Sequence, residues 1–187
     1  MESANREGVR RFGSALLVVG VLILGGCGTR PPVVAPTPQD DASRIAAARK
    51  LMERVRYCAL ITVGDDGQPQ ARTIDPSPPD ARMVVWFVTN PSTRKVRQIE
   101  RDPRVTLYYF DEHSPGYVTV TGTARVLTDT ESKQKPWLAK WAPFYPGGAA
   151  TAVVFEVTPR RIEIVDVAAG IVGDTRTWAP PSVDMKP

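Results

Sequence analysis

The alternation of apolar and polar positions predicts a fold built mainly from strands. Short apolar, β-branched runs bounded by glycine, proline or aspartate recur along the chain, and such runs are typical of strands. The expected strands cover residues 57–63, 70–74, a run beginning at 83, 105–110, 117–127, 152–157 and 161–167. Gly122 lies inside the longest of them, where a β-bulge would fit. Six or seven strands with short connections favour a small closed, mainly antiparallel barrel.

Three segments carry a helical pattern instead. Residues 42–56 space their apolar side chains three and four positions apart, which predicts an amphipathic helix. A second helix is expected to begin with Asn90 as its N-cap and Pro91 in its first turn, and to end near Asp102 and Pro103. A third is expected over about residues 129–141. No βαβ alternation or GxGxxG motif follows a strand, which argues against a dinucleotide-binding doubly wound fold.

The start of the second predicted helix carries the most informative chemistry. Ser92 and Thr93 supply hydroxyls, and Arg94 and Lys95 supply positive charge, beside backbone N–H groups that have no partner inside the helix. This combination is typical of a site for an anion, most naturally a phosphate. Alternatively, Arg94, Lys95 and Arg97 form a solvated helix face. Cations near a helix N-terminus oppose its dipole, so a bound anion would explain their placement.

The first 26 residues have the pattern of an export signal. Three arginines precede an apolar stretch at residues 15–24, which is far shorter than the ~20 residues that span a bilayer. The sequence Leu24-Gly25-Gly26-Cys27 resembles the bacterial lipobox, which implies cleavage before Cys27 and lipidation of that residue. We therefore expect a lipid-anchored protein of the cell envelope, facing the periplasm from the outer membrane in a Gram-negative host. The alternative is an ordinary signal peptide with an incidental cysteine.

Composition divides the rest of the chain into three parts. Residues 27–41 are rich in proline and predict an extended tether, residues 42–178 one folded domain, and residues 179–187 a loosely ordered tail. The net charge is +4, and removing three arginines and two glutamates with the signal leaves +3. That mild balance does not indicate a nucleic-acid partner. With Cys27 lipidated, Cys58 is left alone, and we interpret it as a small buried apolar side chain.

Six segments in order resemble the FMN-binding split barrels related to pyridoxamine 5'-phosphate oxidase, and most closely their general-stress-protein branch. They are GQPQAR at 67–72, VWFVT at 85–89, STRKV at 92–96, DPRV at 102–105, YVTVTGTA at 117–124, and PWLAKW at 136–141 with PGG at 146–148. The resemblance implies a six- to seven-stranded antiparallel split β-barrel. It also implies a homodimer with two flavin sites at the subunit interface.

The resemblance also implies which residues hold the cofactor. Thr93, Arg94 and Lys95 match the positions that bind the FMN phosphate. Two strand segments match those beside the isoalloxazine ring, namely Arg72, Thr73 and Ile74, and Phe87, Val88 and Thr89. Trp137 and Trp141 match a partner-subunit segment that closes over the flavin. From their spacing alone, one helical turn apart, the two tryptophans fit core packing equally well.

Two positions depart from the family pattern. Thr73 stands where the family often has proline, and no clear match follows Arg161 for the basic residues with which the true oxidase grips pyridoxal phosphate. We therefore do not expect pyridoxamine phosphate oxidase activity.

Three functions remain open: a flavin-dependent oxidoreductase acting on a small molecule, a non-catalytic flavin-binding or sensing module, and a relative that binds haem or a deazaflavin. Haem favours an axial histidine, and His113 is the only histidine, in an expected surface turn. One histidine without thiolates is also poor support for a metal site, so none is expected. The chain has no GxSxG elbow and no evident nucleophile, so catalytic residues stay unassigned.

Overall fold

The computed structural model describes residues 40–186, within which seven strands form one antiparallel sheet. The spatial order is β2-β1-β4-β5-β6-β3, and β7 pairs with the free stretch of β6. The strands are β1 Cys58–Val63, β2 Pro69–Ile74, β3 Val85–Thr89, β4 Arg104–Asp111, β5 Gly116–Leu127, β6 Val153–Asp166 and β7 Ser182–Asp184. The helices are α1 Asp41–Arg54, α2 Arg94–Arg101, α3 Thr130–Gln134, α4 Gly148–Thr151 and a 3₁₀ helix Ala139–Phe144. The predicted antiparallel, mainly β barrel is confirmed.

The last two predicted strands are in fact one long strand, β6, which runs through Pro159. The ladder between β5 and β6 shifts register at Gly122, where Thr121 faces Arg161 and Gly122 faces Pro159, so that Arg160 is the extra residue. The irregularity thus lies at the glycine, as predicted, with the extra residue on β6. A Cβ at Gly122 would collide with the carbonyl oxygen of Thr158, which explains the need for glycine.

The inward faces of the strands and one face of α1 form the core. In α1, Ala48, Leu51 and Met52 are buried, as the amphipathic pattern predicted. Asp40 caps this helix, its carboxylate accepting the backbone N–H of Ser43 at 2.7 Å. The expectation of a loosely ordered tail from residue 179 is wrong for residues 182–184, which form β7 against β6 and bury Val183.

Two helices differ from their predicted extents. α2 begins at Arg94, because Asn90 closes a turn instead of capping the helix: its side-chain oxygen accepts the N–H and hydroxyl of Ser92. The helix expected over 129–141 is broken into α3 and the 3₁₀ helix. Pro136 lies between them, where its ring prevents the helix from continuing. Trp137 therefore precedes the 3₁₀ helix instead of sharing a helical face with Trp141.

The predicted signal and most of the tether, including Cys27, lie outside the described residues. Among the helices of residues 40–186, none is both long enough and apolar enough to cross a membrane.

Candidate functional site

A cavity of about 350 Å³ lies where the two edges of the sheet approach each other. β2 and β3 end the strand order at opposite sides, and residues from both line this cavity, which is therefore the split of the barrel. Its lining residues are Arg56, Tyr57, Thr73, Ile74, Asp75, Val88, Thr89, Lys95, Trp141, Phe144 and Tyr145. Small-molecule pockets are typically about 300–1,000 Å³, so the cavity can hold part or all of such a ligand.

One end of the cavity is built by hydroxyls and an amine from β3 and α2. The Nζ of Lys95 donates to Oγ1 of Thr89 at 2.9 Å, and that oxygen lies 3.2 Å from Oγ1 of Thr93. Burial lowers the pKa of Lys95, and the charges of Arg72 and Arg94 lower it further. The amine is therefore held in a half-buried position beside two other cations.

These three cations have no carboxylate partner within the described part of the chain. Burial lowers the pKa of Arg72, and the neighbouring charge of Arg94 adds to the effect. Neither arginine nor Lys95 takes part in any salt bridge of residues 40–186. In addition, the Thr93 hydroxyl donates to the Asn90 carbonyl and accepts no N–H of the first turn of α2, which leaves first-turn N–H groups open. We call Arg72, Arg94 and Lys95 the cation cluster; it is chemically suited to a multiply charged anion.

The 3₁₀ helix covers the other end of the cavity and is fastened to the end of β2 by Asp75. The indole N–H of Trp141 donates to the Asp75 carbonyl at 2.9 Å, and Lys140 donates to the Asp75 carboxylate at 2.6 Å. Arg56 reaches the same carboxylate at 3.0 Å. The hydroxyl of Tyr145 donates to the Val88 carbonyl at 3.1 Å, so the cover also touches β3.

The structure brings most of the predicted site residues together. Thr73, Ile74, Val88, Thr89, Lys95 and Trp141 line the cavity directly. Thr93 lies next to the cavity, because its hydroxyl contacts that of Thr89. Arg72 and Arg94 do not line the cavity, and their charges act on it through Lys95, whose pKa they lower.

Of the other predicted site residues, Phe87 and Trp137 do not line the cavity of their own chain. The Phe87 side chain is 0% exposed and stacks on Phe155 with ring centroids 4.9 Å apart, so it belongs to the core and cannot contact a ligand. Alternation along β3 is the reason: Val88 faces outward and Phe87 inward. Trp137 packs edge-on against Trp141, with their ring centroids 5.9 Å apart, and does not line the cavity. Trp141 lines the cavity of its own chain, where its indole N–H donates to the Asp75 carbonyl.

Several residues that line the cavity, or that hold a lining residue, were not foreseen from the sequence. Asp75 and Lys140 are 65 positions apart, and no local pattern pairs them. Phe144 and Tyr145 directly follow Pro143 of the 3₁₀ helix, and this adjacent aromatic pair was the one signal that the sequence offered for them. The lining contains no histidine or cysteine, so the arrangement favours binding a flat, anionic ligand over nucleophilic chemistry.

The remaining candidates lie away from the cavity. His113 is exposed in the turn between β4 and β5, and its ring nitrogen lies 3.7 Å from Glu112. Within residues 40–186 there is no group of three or more metal-ligating side chains. Cys58 is buried, and burial raises the pKa of its thiol to about 12.

Comparison with known proteins identifies relatives of one kind. A family profile described as pyridoxamine 5'-phosphate oxidase matches residues 45–166. A pyridoxine/pyridoxamine 5'-phosphate oxidase of Myxococcus xanthus is 33% identical over 103 residues, covering 51% of this chain and 48% of that protein. One of Rubrobacter xylanophilus is 41% identical over 73 residues, covering 39% and 33%. The chain spans about half the length, or less, of these curated relatives.

Solved structures share the fold at low identity. A protein from Clostridium acetobutylicum related to general stress protein 26 superposes with a TM-score of 0.66 at 20% identity, covering 78% of this chain and 97% of that one. A pyridoxamine 5'-phosphate oxidase-related, FMN-binding protein from Nostoc punctiforme superposes with a TM-score of 0.55 at 16% identity, and the match covers 81% of this chain and 100% of that one. A heme-binding protein from Mycobacterium smegmatis superposes with a TM-score of 0.59 at 18% identity, and the match covers 79% of this chain and 60% of that one.

The profile match covers the strands that build the cavity, from β1 to β6, together with α2. The chain belongs to the pyridoxamine 5'-phosphate oxidase family.

Proposed function

We propose that the cavity binds FMN and that the protein is a flavin-dependent oxidoreductase acting on a small molecule. The observation that carries the proposal is the cation cluster, which has no carboxylate partner in the described chain and whose Lys95 lines one end of a cavity with apolar and aromatic walls. A phosphate carries about −1.5 to −2 charge at neutral pH and matches such a cluster. The related FMN-binding protein of Nostoc punctiforme supports the choice of ligand.

The residues fit the two ends of this ligand in different ways. Thr93, Arg94 and Lys95, with the open N–H groups of α2, would hold the phosphate through charge-assisted hydrogen bonds. Thr73 and Val88 stand on the two edge strands and would flank the ring. Trp141 of the 3₁₀ helix and Tyr145 directly after it are held by hydrogen bonds to the backbone of Asp75 and Val88. Their side chains would shield one side of the flavin ring from water. When bound, FMN supplies hydride or electron transfer, and the barrel supplies position and electrostatics.

The substrate is a separate question from the cofactor. The curated relatives are named pyridoxine/pyridoxamine 5'-phosphate oxidases, but each match spans half of their length or less. The basic residues expected for pyridoxal phosphate have no clear match after Arg161, so we do not extend that substrate to this protein.

The absorption spectrum of the purified protein, as isolated and after addition of FMN, tests the assignment. We expect the visible bands of an oxidised flavin and saturable binding of FMN. Absence of flavin together with no binding of added FMN would end the proposal. Bleaching of the bound flavin by NADH or NADPH would support an enzyme, and a flavin that no donor reduces would favour the sensing module.

Haem is the second candidate, because a heme-binding protein shares the fold. His113 is exposed in the β4–β5 turn and does not line the cavity, so no histidine of the described chain offers an axial ligand there. A Soret band in the absorption spectrum of the purified protein would show that the bound ligand is haem and not FMN. A deazaflavin would use the same phosphate chemistry and is distinguished by its own absorption.

We further propose that two copies associate through the outer face of β1, β4 and β5. Ile61, Tyr108, Phe110 and Tyr117 face outward there, and Phe110 is 57% exposed. An exposed aromatic face of this kind is typical of an interface. Sedimentation equilibrium of the wild type and of Phe110→Asp tests it: a wild type that stays monomeric contradicts the proposal.

The envelope location rests on the lipobox at Cys27 and stays a proposal. Labelling cells with radioactive palmitate tests it, with Cys27→Ala as the control. We expect label in the wild type and none in the variant.

A further inference from the structure

A buried side-chain amide lies directly behind the cation cluster. Gln98 stands in the middle of α2, is 4% exposed, and is among the few buried polar residues of the described chain. Its neighbours on β1 and β2 are Thr62, which is 1% exposed, and Arg72. A polar group this deeply buried is stabilised only when its hydrogen-bonding capacity is met, so its partners show what holds it.

The partners of Gln98 form a closed network. Its Oε1 accepts from Oγ1 of Thr62 at 2.7 Å and from the guanidinium of Arg72 at 2.9 Å. Arg72 also donates to Oγ1 of Thr62 at 2.6 Å, which closes a triangle. The Nε2 of Gln98 donates to Oε1 of Gln70 at 2.9 Å. Because the oxygen accepts twice and the nitrogen donates, the amide has one orientation, and Arg72 is held on two sides.

The neutral character of these partners matters for the charge of Arg72. An acceptor is needed, because the guanidinium is partly desolvated and lies near Arg94. A carboxylate in the same place would hold it more tightly but would cancel its charge. The acceptors present are an amide, a hydroxyl and the Leu60 carbonyl, all neutral, so they hold the guanidinium and leave its full charge available to a ligand.

We propose that Gln98 is a positioning residue that keeps Arg72 ordered and electrostatically uncompensated at the anion end of the cavity. This inference rests on the proposed FMN function. Under it, the phosphate of the ligand neutralises Arg72, and the uncharged amide behind it sets how strongly phosphate is preferred. A purely structural role would only join α2 to β1 and β2, and its loss would lower stability without changing that preference.

The test compares FMN with riboflavin, which has the same ring and no phosphate. Dissociation constants for both are measured by flavin fluorescence for the wild type and for Gln98→Glu. That variant retains an acceptor for Arg72 and Thr62 and adds a negative charge. We expect the preference for FMN over riboflavin to fall by about tenfold, in line with the loss of one charge-assisted contact. Riboflavin affinity is expected to change little.

Arg97→Gln is the matched control. It lies on the same helix, is exposed, and changes the net charge by the same −1 as Gln98→Glu. It should leave the preference unchanged. In an Arg72→Gln background, Gln98→Glu should add no further loss of the FMN preference, because under the proposal Gln98 acts on the phosphate through Arg72. Thermal unfolding of each variant reports folding independently, and Gln98→Asn is the substitute should the glutamate variant fail to fold.

The outcomes separate this inference from the proposed function. A wild type that binds neither flavin, or binds both equally, ends the phosphate assignment and this inference with it. A wild type that prefers FMN while folded Gln98→Glu keeps the same preference overturns the inference alone. The inference is also overturned if Gln98→Glu still lowers the preference for FMN in the Arg72→Gln background.

Discussion

Arginines in two regions of this domain meet opposite surroundings. At the end of α1, Arg54 donates to the carboxylate of Asp111 at 2.7 Å and lies 3.8 Å from that of Asp166, and both aspartates are buried. In the cation cluster, Arg94 and Lys95 at the start of α2 and Arg72 on β2 have no carboxylate partner from the described chain. The first region is neutralised within the protein and joins α1 to β4 and β6. The second is left positive, at a cost in mutual repulsion that a bound anion would remove.

Removing the cation cluster's first-turn charges should have the largest effect. We expect Arg94→Ala with Lys95→Ala to raise the FMN dissociation constant by roughly 10²–10⁴-fold, since two charge-assisted contacts are lost and each is worth about 1.5–3 kcal/mol. Flavin titration measures the dissociation constant. The dissociation constant of riboflavin, which has no phosphate, should be nearly unchanged in the double variant. Wild-type FMN affinity in the double variant would contradict the assignment of the phosphate site.

Weakening the attachment of the 3₁₀ helix Ala139–Phe144, which covers the cavity, should speed the dissociation of FMN and riboflavin alike. Asp75→Ala removes the carboxylate that holds Lys140 and Arg56 near the cavity. We expect FMN and riboflavin to dissociate about tenfold faster, because the ring end is less well covered and a lost hydrogen bond to a charged group is worth about 1.5–3 kcal/mol. Stopped-flow fluorescence measures the rates. A change confined to FMN would show that Asp75 acts on the phosphate end instead.

The pH dependence should distinguish Lys95 from a permanently charged group. Its pKa lies below the ordinary lysine value, so the folded protein loses this proton first, and its contribution to the free energy of unfolding rises with pH between the two values. Phosphate binding needs the charged amine. The preference for FMN over riboflavin should therefore fall severalfold as the pH rises through the lowered pKa of Lys95. Lys95→Met should show a low, flat profile over the same range.

The neutralised region should give the smallest effect on binding. The Arg54 guanidinium holds the pKa of Asp111 below its usual value, so the pair contributes stability above the usual carboxyl pKa and loses it as the pH falls through the lowered one. Asp111→Asn should lower the urea midpoint at pH 7 and leave the FMN preference unchanged. The difference in midpoint should shrink toward pH 2. A shift in flavin preference would remove the contrast between the two regions.

Much of the fold could be read from local patterns. The alternation in β1, β4 and β5 and the amphipathic face of α1 are properties of contiguous residues, and the structure confirms them. Boundaries were less certain where two local preferences compete. Asn90 and Pro91 suit a helix start, yet they form a turn before α2. Two strands were expected at residues 152–157 and 161–167, yet the bulge opposite Gly122 carries a single strand, β6, through Pro159.

By itself the sequence determined the elements and the chemistry that lies within one of them: the strands, and the hydroxyls and cations at the start of α2. Tertiary structure alone decided that β2 and β3 become the two edges of the split and that Asp75 holds the cover. It also decided that Gln98 stands behind Arg72, and that Phe87 faces the core while Val88 faces the cavity. The physical reason is range. Hydrogen-bonding periodicity and helix ends act over a few residues, whereas a cavity is made by side chains brought together from distant segments when the sheet closes.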